Sequence, residues 1–203
     1  MKLYLIRHAD KEEGEFYNVF LKHQDPPITK RGQLRAETLT NYFENRNIDT
    51  IYVSEYLRAR QTAAILASKK GLVSRMDRRL NEIDNGAIDG MSDSAIQEKY
   101  ASFWNDYISH TKDVRFPEGE TGEEARKRQL SLLSDLLAEG KDAVLICHER
   151  YIRLLICTVL DLPVYERYRF AADYCSITEI EFLEGLFKWR IVRINHSIET
   201  NPD

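Results

Sequence analysis

At 203 residues the chain is long enough to bury roughly 70% of the surface its unfolded form would expose, so it needs no disulfide or metal to hold a core. Hydrophobic residues make up 43% and charged residues 31%, the balance of a folded globular protein rather than of a disordered or membrane-embedded one. A formal charge of -4 argues against broad nucleic-acid binding but leaves room for a local anion site, since a few arginines can dominate one pocket.

The first apolar run, Leu3 to Ile6, reads as a strand that ends on Arg7 and His8. It is far shorter than a secretion signal or a membrane span, so no membrane partner is expected and a cytoplasmic location is the default. Lys11 to Pro27 mixes charge, aromatic residues and two prolines, and reads as an irregular crossover or a lid beside that strand. Apolar residues then recur at helical spacing at Ala36, Leu39 and Phe43, give way to a strand at Thr50 to Val53, and resume at Thr62, Ile65 and Leu66. Leu72 to Met76 is a weaker strand.

Ser92 to Tyr107 reads as one helix whose apolar side carries Ile96, Tyr100, Phe103, Trp104 and Tyr107, suited to roofing the core or a pocket. A further helix runs through Ala125, Gln129, Leu132, Leu133, Leu136 and Leu137 to a stop at Gly140. The strand Ala143 to Cys147 ends on His148, and a helix through Ile152, Leu155, Ile156 and Val159 follows, limited by Pro163. Ser176 to Phe182 and Phe187 to Ile194 read as an antiparallel hairpin. Cys147, Cys157 and Cys175 sit in apolar surroundings without close pairing and read as buried thiols, with the Cys147 side chain turned from the pocket into the core by strand alternation.

Helices placed between successive strands cover both faces of a sheet, so the fold expected is a three-layer α/β/α sandwich with a mostly parallel central sheet and an antiparallel edge. No repeat or composition break divides it, and residues 1–203 are read as one domain. Arg7-His8 and His148 both terminate strands, so one sheet edge can aim two imidazoles into one pocket, where helix N-termini add backbone donors and partial positive charge.

Arg7-His8-Ala9-Asp10, the run Ser54 to Ala63 with Arg58 inside it, and His148 together resemble the histidine phosphatase, or phosphoglycerate-mutase-like, superfamily. The likeness continues through Asp25 to Gly32, Leu80-Asn81-Glu82, Phe116 to Thr121 and Asp173 to Thr178, nearly the full chain. It implies that His8 attacks phosphorus and is transiently phosphorylated, that Arg7 and Arg58 clamp phosphoryl oxygens through their guanidinium forks, and that His148 donates to a nonbridging oxygen. It places the proton donor at Glu82, with Asp84 as the competing acid, and leaves Arg60 to the surface.

Thr121 is expected to touch phosphate through its hydroxyl or to cap the following helix, since Thr121-Gly122-Glu123-Glu124 fits a capping box. The sequence departs from the family pattern at Ala9 and Glu149, where glycine is common, at Ile88 where an aromatic residue is usual, and in an early asparagine that neither Gly14 nor Asn18 replaces convincingly. The function implied is a metal-independent phosphomonoesterase acting through phosphohistidine on a small phosphorylated metabolite, with no cofactor and no nucleic-acid partner; a homodimer is compatible. The alternatives are a phosphoglycerate mutase or mixed mutase and phosphatase, and a non-catalytic phosphate-sensing protein.

Overall fold

The computed structural model describes residues 1–198. Among these described residues eight strands occur in chain order: β1 (Lys2–Arg7), β2 (Tyr17–Asn18), β3 (His23–Gln24), β4 (Thr50–Val53), β5 (Ser74–Met76), β6 (Ala143–Cys147), β7 (Ile177–Leu183) and β8 (Lys188–His196). The helices are α1 (Lys30–Phe43), α2 (Leu57–Lys70), α3 (Asp93–Lys99), α4 (Ala101–Ser109), α5 (Gly122–Glu139) and α6 (Glu149–Val159). Six strands form one sheet in the order β5-β4-β6-β1-β7-β8, and β2 pairs with β3 in a small hairpin. The first four strands of that order run parallel, while β7 is antiparallel to β1 and β8 to β7, so the expected three-layer arrangement with its antiparallel edge is what forms.

Strand alternation divides the core between two faces. Tyr4, Ile6, Ile51, Val53, Val144 and Ile146 pack on one side with Ala36, Leu39 and Phe43 of α1 and Ala59, Ala63 and Leu66 of α2. Leu3, Leu5, Tyr52, Leu145 and Cys147 pack on the other with Leu132, Leu133 and Leu136 of α5 and Ile152, Leu155 and Ile156 of α6. Burying each large aliphatic side chain contributes about 1.5–3 kcal/mol, so a one-residue slip that exchanged the faces would forfeit the sandwich. The Cys147 thiol lies in the second cluster, and burial pushes its pKa far up.

The single helix expected over Ser92 to Tyr107 is two. Tyr100 leaves helical geometry at φ -128, ψ 47, ending α3 and opening α4. No proline or glycine breaks this segment; instead the bend brings Ile96 of α3 and Phe103, Trp104 and Tyr107 of α4 onto one third cluster around Ile83 and Phe116. Tertiary packing overrides the local helical pattern there.

Two features place the chain after β1. A Cβ on Gly32 would stand 2.4 Å from the Asp10 carbonyl oxygen, so α1 can cross the loop that follows His8 at this distance only without a side chain there. Asp10 is itself buried and holds Arg31 at 2.7 Å and Arg35 at 2.9 Å from α1. Ala9 stands outside the left-handed region, is fully buried, and donates its N–H to Thr62 Oγ1 at 3.0 Å, so alanine is accommodated where glycine is common.

Candidate active site

Parallel register brings the residues after three strands to one line. Arg7 is level with Cys147 and Val53 with Ile146, so His8, His148 and Ser54 emerge side by side at the carboxyl edge of β1, β6 and β4. The ladder extends one step further, with His8 N–H donating to Cys147 C=O at 3.0 Å and Ser54 N–H to Ile146 C=O at 3.1 Å. The His8 and His148 ring centres lie 5.2 Å apart.

Arg58, one residue into α2, reaches between the two imidazoles. Its Nε donates to His8 Nε2 at 3.2 Å, and its Nη2 lies 3.3 Å from His148 Nδ1. The guanidinium also stacks on Tyr56, 4.3 Å from the ring centre, and Asp25 Oδ1 stands 3.7 Å away. Arg60 is exposed.

His8 Nδ1–H donates to the Ala9 carbonyl at 2.8 Å, which fixes the tautomer and leaves the Nε2 lone pair facing Arg58. Burial, reinforced by the Arg58 charge, holds the His8 pKa well below the ordinary imidazole value, and His148 is lowered by the same two causes in the same order. Both rings are therefore neutral near pH 7. On the far side of His148, Nε2 lies 2.7 Å from Ser54 Oγ, which also accepts from Tyr56 N–H. A hydroxyl has a proton and two lone pairs, so Ser54 can serve either tautomer of His148.

Neither helix that starts at the site has a cap from its own side chains. Tyr56 precedes α2 and His148 precedes α6 without capping bonds. Carboxylates from elsewhere do the work: Asp25 Oδ1 accepts from Leu57 N–H at 2.7 Å, and Glu82 accepts from Arg150 N–H at 3.2 Å and Tyr151 N–H at 3.0 Å. A cap is worth about 1 kcal/mol. Supplying it remotely leaves Tyr56 and His148 available to the site.

A cavity of about 440 Å³ opens above this floor, a size suited to a small metabolite. Arg7, His8, Arg58 and Glu82 line it; His148 is fully buried behind Arg58, and Thr121 lines no part of it. Thr121 Oγ1 instead accepts from Glu124 N–H at 3.1 Å while Glu124 accepts from Thr121 N–H at 2.9 Å, a capping box at the start of α5. Asp84 also turns from this cavity, accepting from Gly86 N–H at 2.7 Å and pairing with His23 at 3.2 Å. The structure thus brings Arg7, His8, Arg58, Glu82 and His148 together and leaves out Thr121 and Asp84.

Several participants carry no strong sequence signal. Lys11, whose pKa is lowered by burial and by Arg58, and Gln24 and His23 of the β2–β3 hairpin line the cavity, so part of the Lys11 to Pro27 crossover forms its wall. Asn18 binds Asp25 Oδ2 at 3.0 Å rather than facing the cavity. Arg7 lies over Tyr174, 4.0 Å from the ring centre, and donates to the Ala172 carbonyl at 2.8 Å. Glu149, in a position where glycine is common, reaches Arg7 Nη1 at 2.9 Å and Arg153 at 2.9 Å, so a carboxylate already answers part of the Arg7 charge. Ser54 was the most findable of these, since it ends its strand as the two histidines end theirs.

Among the described residues, no group of three or more His, Cys, Asp or Glu side chains is placed to hold a metal ion, and no helix is long and apolar enough to cross a membrane.

Such a floor, with two neutral imidazoles at strand ends joined by an arginine, can present a nucleophilic nitrogen and a cation to one phosphoryl group. A family model of the histidine phosphatase superfamily (branch 1) matches residues 3–197, and the chain belongs to that superfamily as one of its enzymes. It is 29% identical over 187 residues to a probable phosphoglycerate mutase, GpmB, of Enterobacter sp. (strain 638), covering 91% of this chain and 86% of that protein. Among solved structures, the fold is similar to the α-ribazole phosphatase of Shigella flexneri, with a TM-score of 0.83, 20% identity and 100% of both chains covered. It is likewise similar to a mycobacterial glucosyl-3-phosphoglycerate phosphatase in complex with inorganic phosphate, with a TM-score of 0.83, 22% identity, and 97% of this chain and 98% of that chain covered.

Proposed function

We propose that the protein is a metal-independent phosphomonoesterase that works through phosphohistidine at His8 on a small phosphorylated metabolite. The observation that carries this reading is the His8 tautomer: Nδ1 is tied to the Ala9 carbonyl, and Nε2 keeps its lone pair beside Arg58 in a cavity that Glu82 also lines. Nε2 attacks phosphorus, the ester P–O bond breaks, and the departing alkoxide takes a proton from Glu82. Water then attacks the phosphohistidine, giving its proton to the Glu82 carboxylate; the P–N bond breaks and its electron pair returns to the imidazole, releasing phosphate.

Arg7 and Arg58 oppose the charge on the equatorial oxygens during both transfers. Arg58 Nη2, which can only donate, meets the His148 Nδ1 lone pair at 3.3 Å. Once a phosphoryl oxygen takes up that guanidinium donor, the tautomer in which Ser54 donates to Nε2 leaves Nδ1–H to donate to a nonbridging oxygen. The reading takes residues 1–203 as one domain, on the support of a single sheet that backs both large apolar clusters. A cytoplasmic location accompanies it.

The α-ribazole and glucosyl-3-phosphoglycerate phosphatases support a metabolite monoester as substrate, by fold alone. The similarity to a probable phosphoglycerate mutase keeps transfer to a second substrate oxygen as the alternative. Incubation with 3-phosphoglycerate, scored separately for isomer exchange and free phosphate, divides the two. A rapid acid-stop assay with a labelled monoester should trap an acid-labile phosphoryl adduct in the wild type and none in His8→Ala; a normal yield of adduct in folded His8→Ala overturns the assignment.

A further inference from the structure

Three arginines line the cavity: Arg7, Arg58 and Arg150. Arg7 pairs with Glu149 at 2.9 Å, and Arg58 has Asp25 at 3.7 Å as well as the two imidazoles. Arg150 differs. Among the described residues no carboxylate lies within 4.0 Å of it, and its only side-chain hydrogen bond runs from Nη1 to the amide oxygen of Asn85. Among the described residues its Nε and Nη2 groups have no hydrogen-bond partner.

The position is built rather than incidental. Arg150 stands in the first turn of α6, and its main-chain N–H is held by Glu82 Oε2 at 3.2 Å, which fixes the backbone from which its side chain extends beside the proposed proton donor. Its Cζ lies 5.6 Å from the ring centre of Phe116, and Phe103, Trp104, Tyr107 and Ile96 continue that apolar wall around the cavity. Glu82 and Glu149 are close enough to favour its charged form but remain beyond ion-pair distance. A half-enclosed guanidinium that keeps two donor groups free in a cavity with low-dielectric walls has a large unmet capacity for an oxyanion.

We propose that Arg150 forms a second anion subsite, so that the preferred substrate is a phosphomonoester whose alcohol carries a further oxyanion, a carboxylate or a second phosphoryl group, on a body that packs against the aromatic wall. This rests on the phosphatase reading above and deepens it. The phosphoryl group to be transferred sits with His8 and Arg58, the leaving oxygen faces Glu82, and the second anion lies one step further along the cavity at Nε and Nη2 of Arg150.

The test is a set of aryl phosphates that differ in one group: 3-carboxyphenyl phosphate, its neutral 3-carbamoyl counterpart, and benzene-1,3-diyl bisphosphate. The wild type should show kcat/KM for at least one charged ester about tenfold or more above the neutral one, carried mainly by KM, as a charge-assisted contact predicts. Which charged ester is preferred identifies the oxyanion. Arg150→Gln, which retains hydrogen bonding to Asn85, should reduce that ratio to near one, and Arg150→Lys should restore part of it. Turnover of all three esters with equal kcat/KM overturns the subsite while leaving the phosphatase reading intact. If none is turned over the phosphatase reading fails, and calorimetric binding of the same esters then decides the subsite: tighter binding of a charged ester by the wild type, lost in Arg150→Gln, upholds it, and equal binding rejects it.

Discussion

His8, Arg58 and His148 stand on a floor made from adjacent strand ends and the first turn of α2, whereas the rim above them is the β2–β3 hairpin, the turns around Asp84 to Gly90 and the short helices α3 and α4. The floor is fixed by backbone: its residues continue a parallel ladder, and its imidazoles are 4% and 0% exposed. The rim is fixed by side chains. His23 reaches Asp84 and Asp89, Gln24 N–H reaches Asp89 at 2.7 Å, and Arg150 reaches Asn85. On the proposed reading, chemistry that tolerates little displacement rests on the hydrogen-bonded sheet edge, and recognition of the leaving group falls to the rim, where substitution costs the fold little.

The sharpest way to break the floor without unfolding it is Arg58→Lys. A single ammonium cannot replace a guanidinium that at once meets His8, His148 and the Tyr56 face. The expected loss is about 2–4 kcal/mol of transition-state stabilisation, roughly one and a half to three decades in kcat. Steady-state kinetics on several small monoesters check this; unchanged kcat and kcat/KM would remove Arg58 from the clamp.

Glu82 joins floor and rim, so its substitution must be read in two ways. Glu82→Gln keeps an oxygen for Ile83 and Tyr151 N–H but turns an amide N–H₂ toward Arg150 N–H, costing about 1 kcal/mol of stability through the lost cap. A melting curve measures that part. The catalytic part is a larger loss on alkyl phosphates than on an activated aryl phosphate, because only the poor leaving group needs the proton. Proportional losses on both, measured as single-turnover release of the alcohol, would leave Glu82 a cap alone; Asp84→Asn, which alters the rim but not the cavity wall, should show no leaving-group dependence.

Glu149 tests the boundary more gently. Because its carboxylate opposes Arg7 at 2.9 Å, Glu149→Gln should lower KM for simple monoesters several-fold while kcat changes less, a free-energy difference of about 1 kcal/mol. A raised KM would mean instead that Glu149 holds Arg7 in its working position.

The same division explains what the sequence discloses. The two imidazoles of the floor are legible because each follows an apolar strand: Leu3 to Ile6 leads to Arg7-His8, and Ala143 to Cys147 leads to His148, whereas Arg58, in the first turn of a helix, is told from Arg60 only by the family resemblance. The layers and the hairpin of β7 and β8 follow from the same periodicities. The rim is not legible, because its bonds join residues far apart in the chain. Gln24 to Asp89, Arg150 to Asn85 and Asp25 to Leu57 leave no local pattern. Thr121 shows the reverse hazard: its local capping pattern is the one the structure uses, and the motif around it suggested a second role at a cavity it does not line.

The smallest expected effect is a difference in sign between floor and rim on titration. His8 and His148 are held neutral, with folded pKa values below the unfolded value of about 6.5, so the stability this contributes is present above that pH and is lost as pH falls from about 6.5 through the folded values. His23 is shifted the other way, chiefly by its hydrogen bond to Asp89 and helped by Asp84, against burial and the Arg58 charge. Its contribution is fully present below about 6.5 and is lost as pH rises through its raised folded value. His23→Gln should therefore lower stability by less than about 1 kcal/mol at pH 5.5 and by nearly nothing at pH 9, given that Asp84 and Asp89 are 46% and 24% exposed. Urea unfolding at the two pH values reads this directly. The activity signature is a KM that rises in the wild type as the hairpin loses its ion pairs on the alkaline side and stays flat in His23→Gln, while the rate of phosphoenzyme formation keeps the same acid limb in both, well below pH 6.5. An alkaline stability gap as large as the acid one would place the role of His23 in packing beside Tyr56, 6.3 Å between ring centres, rather than in its charge.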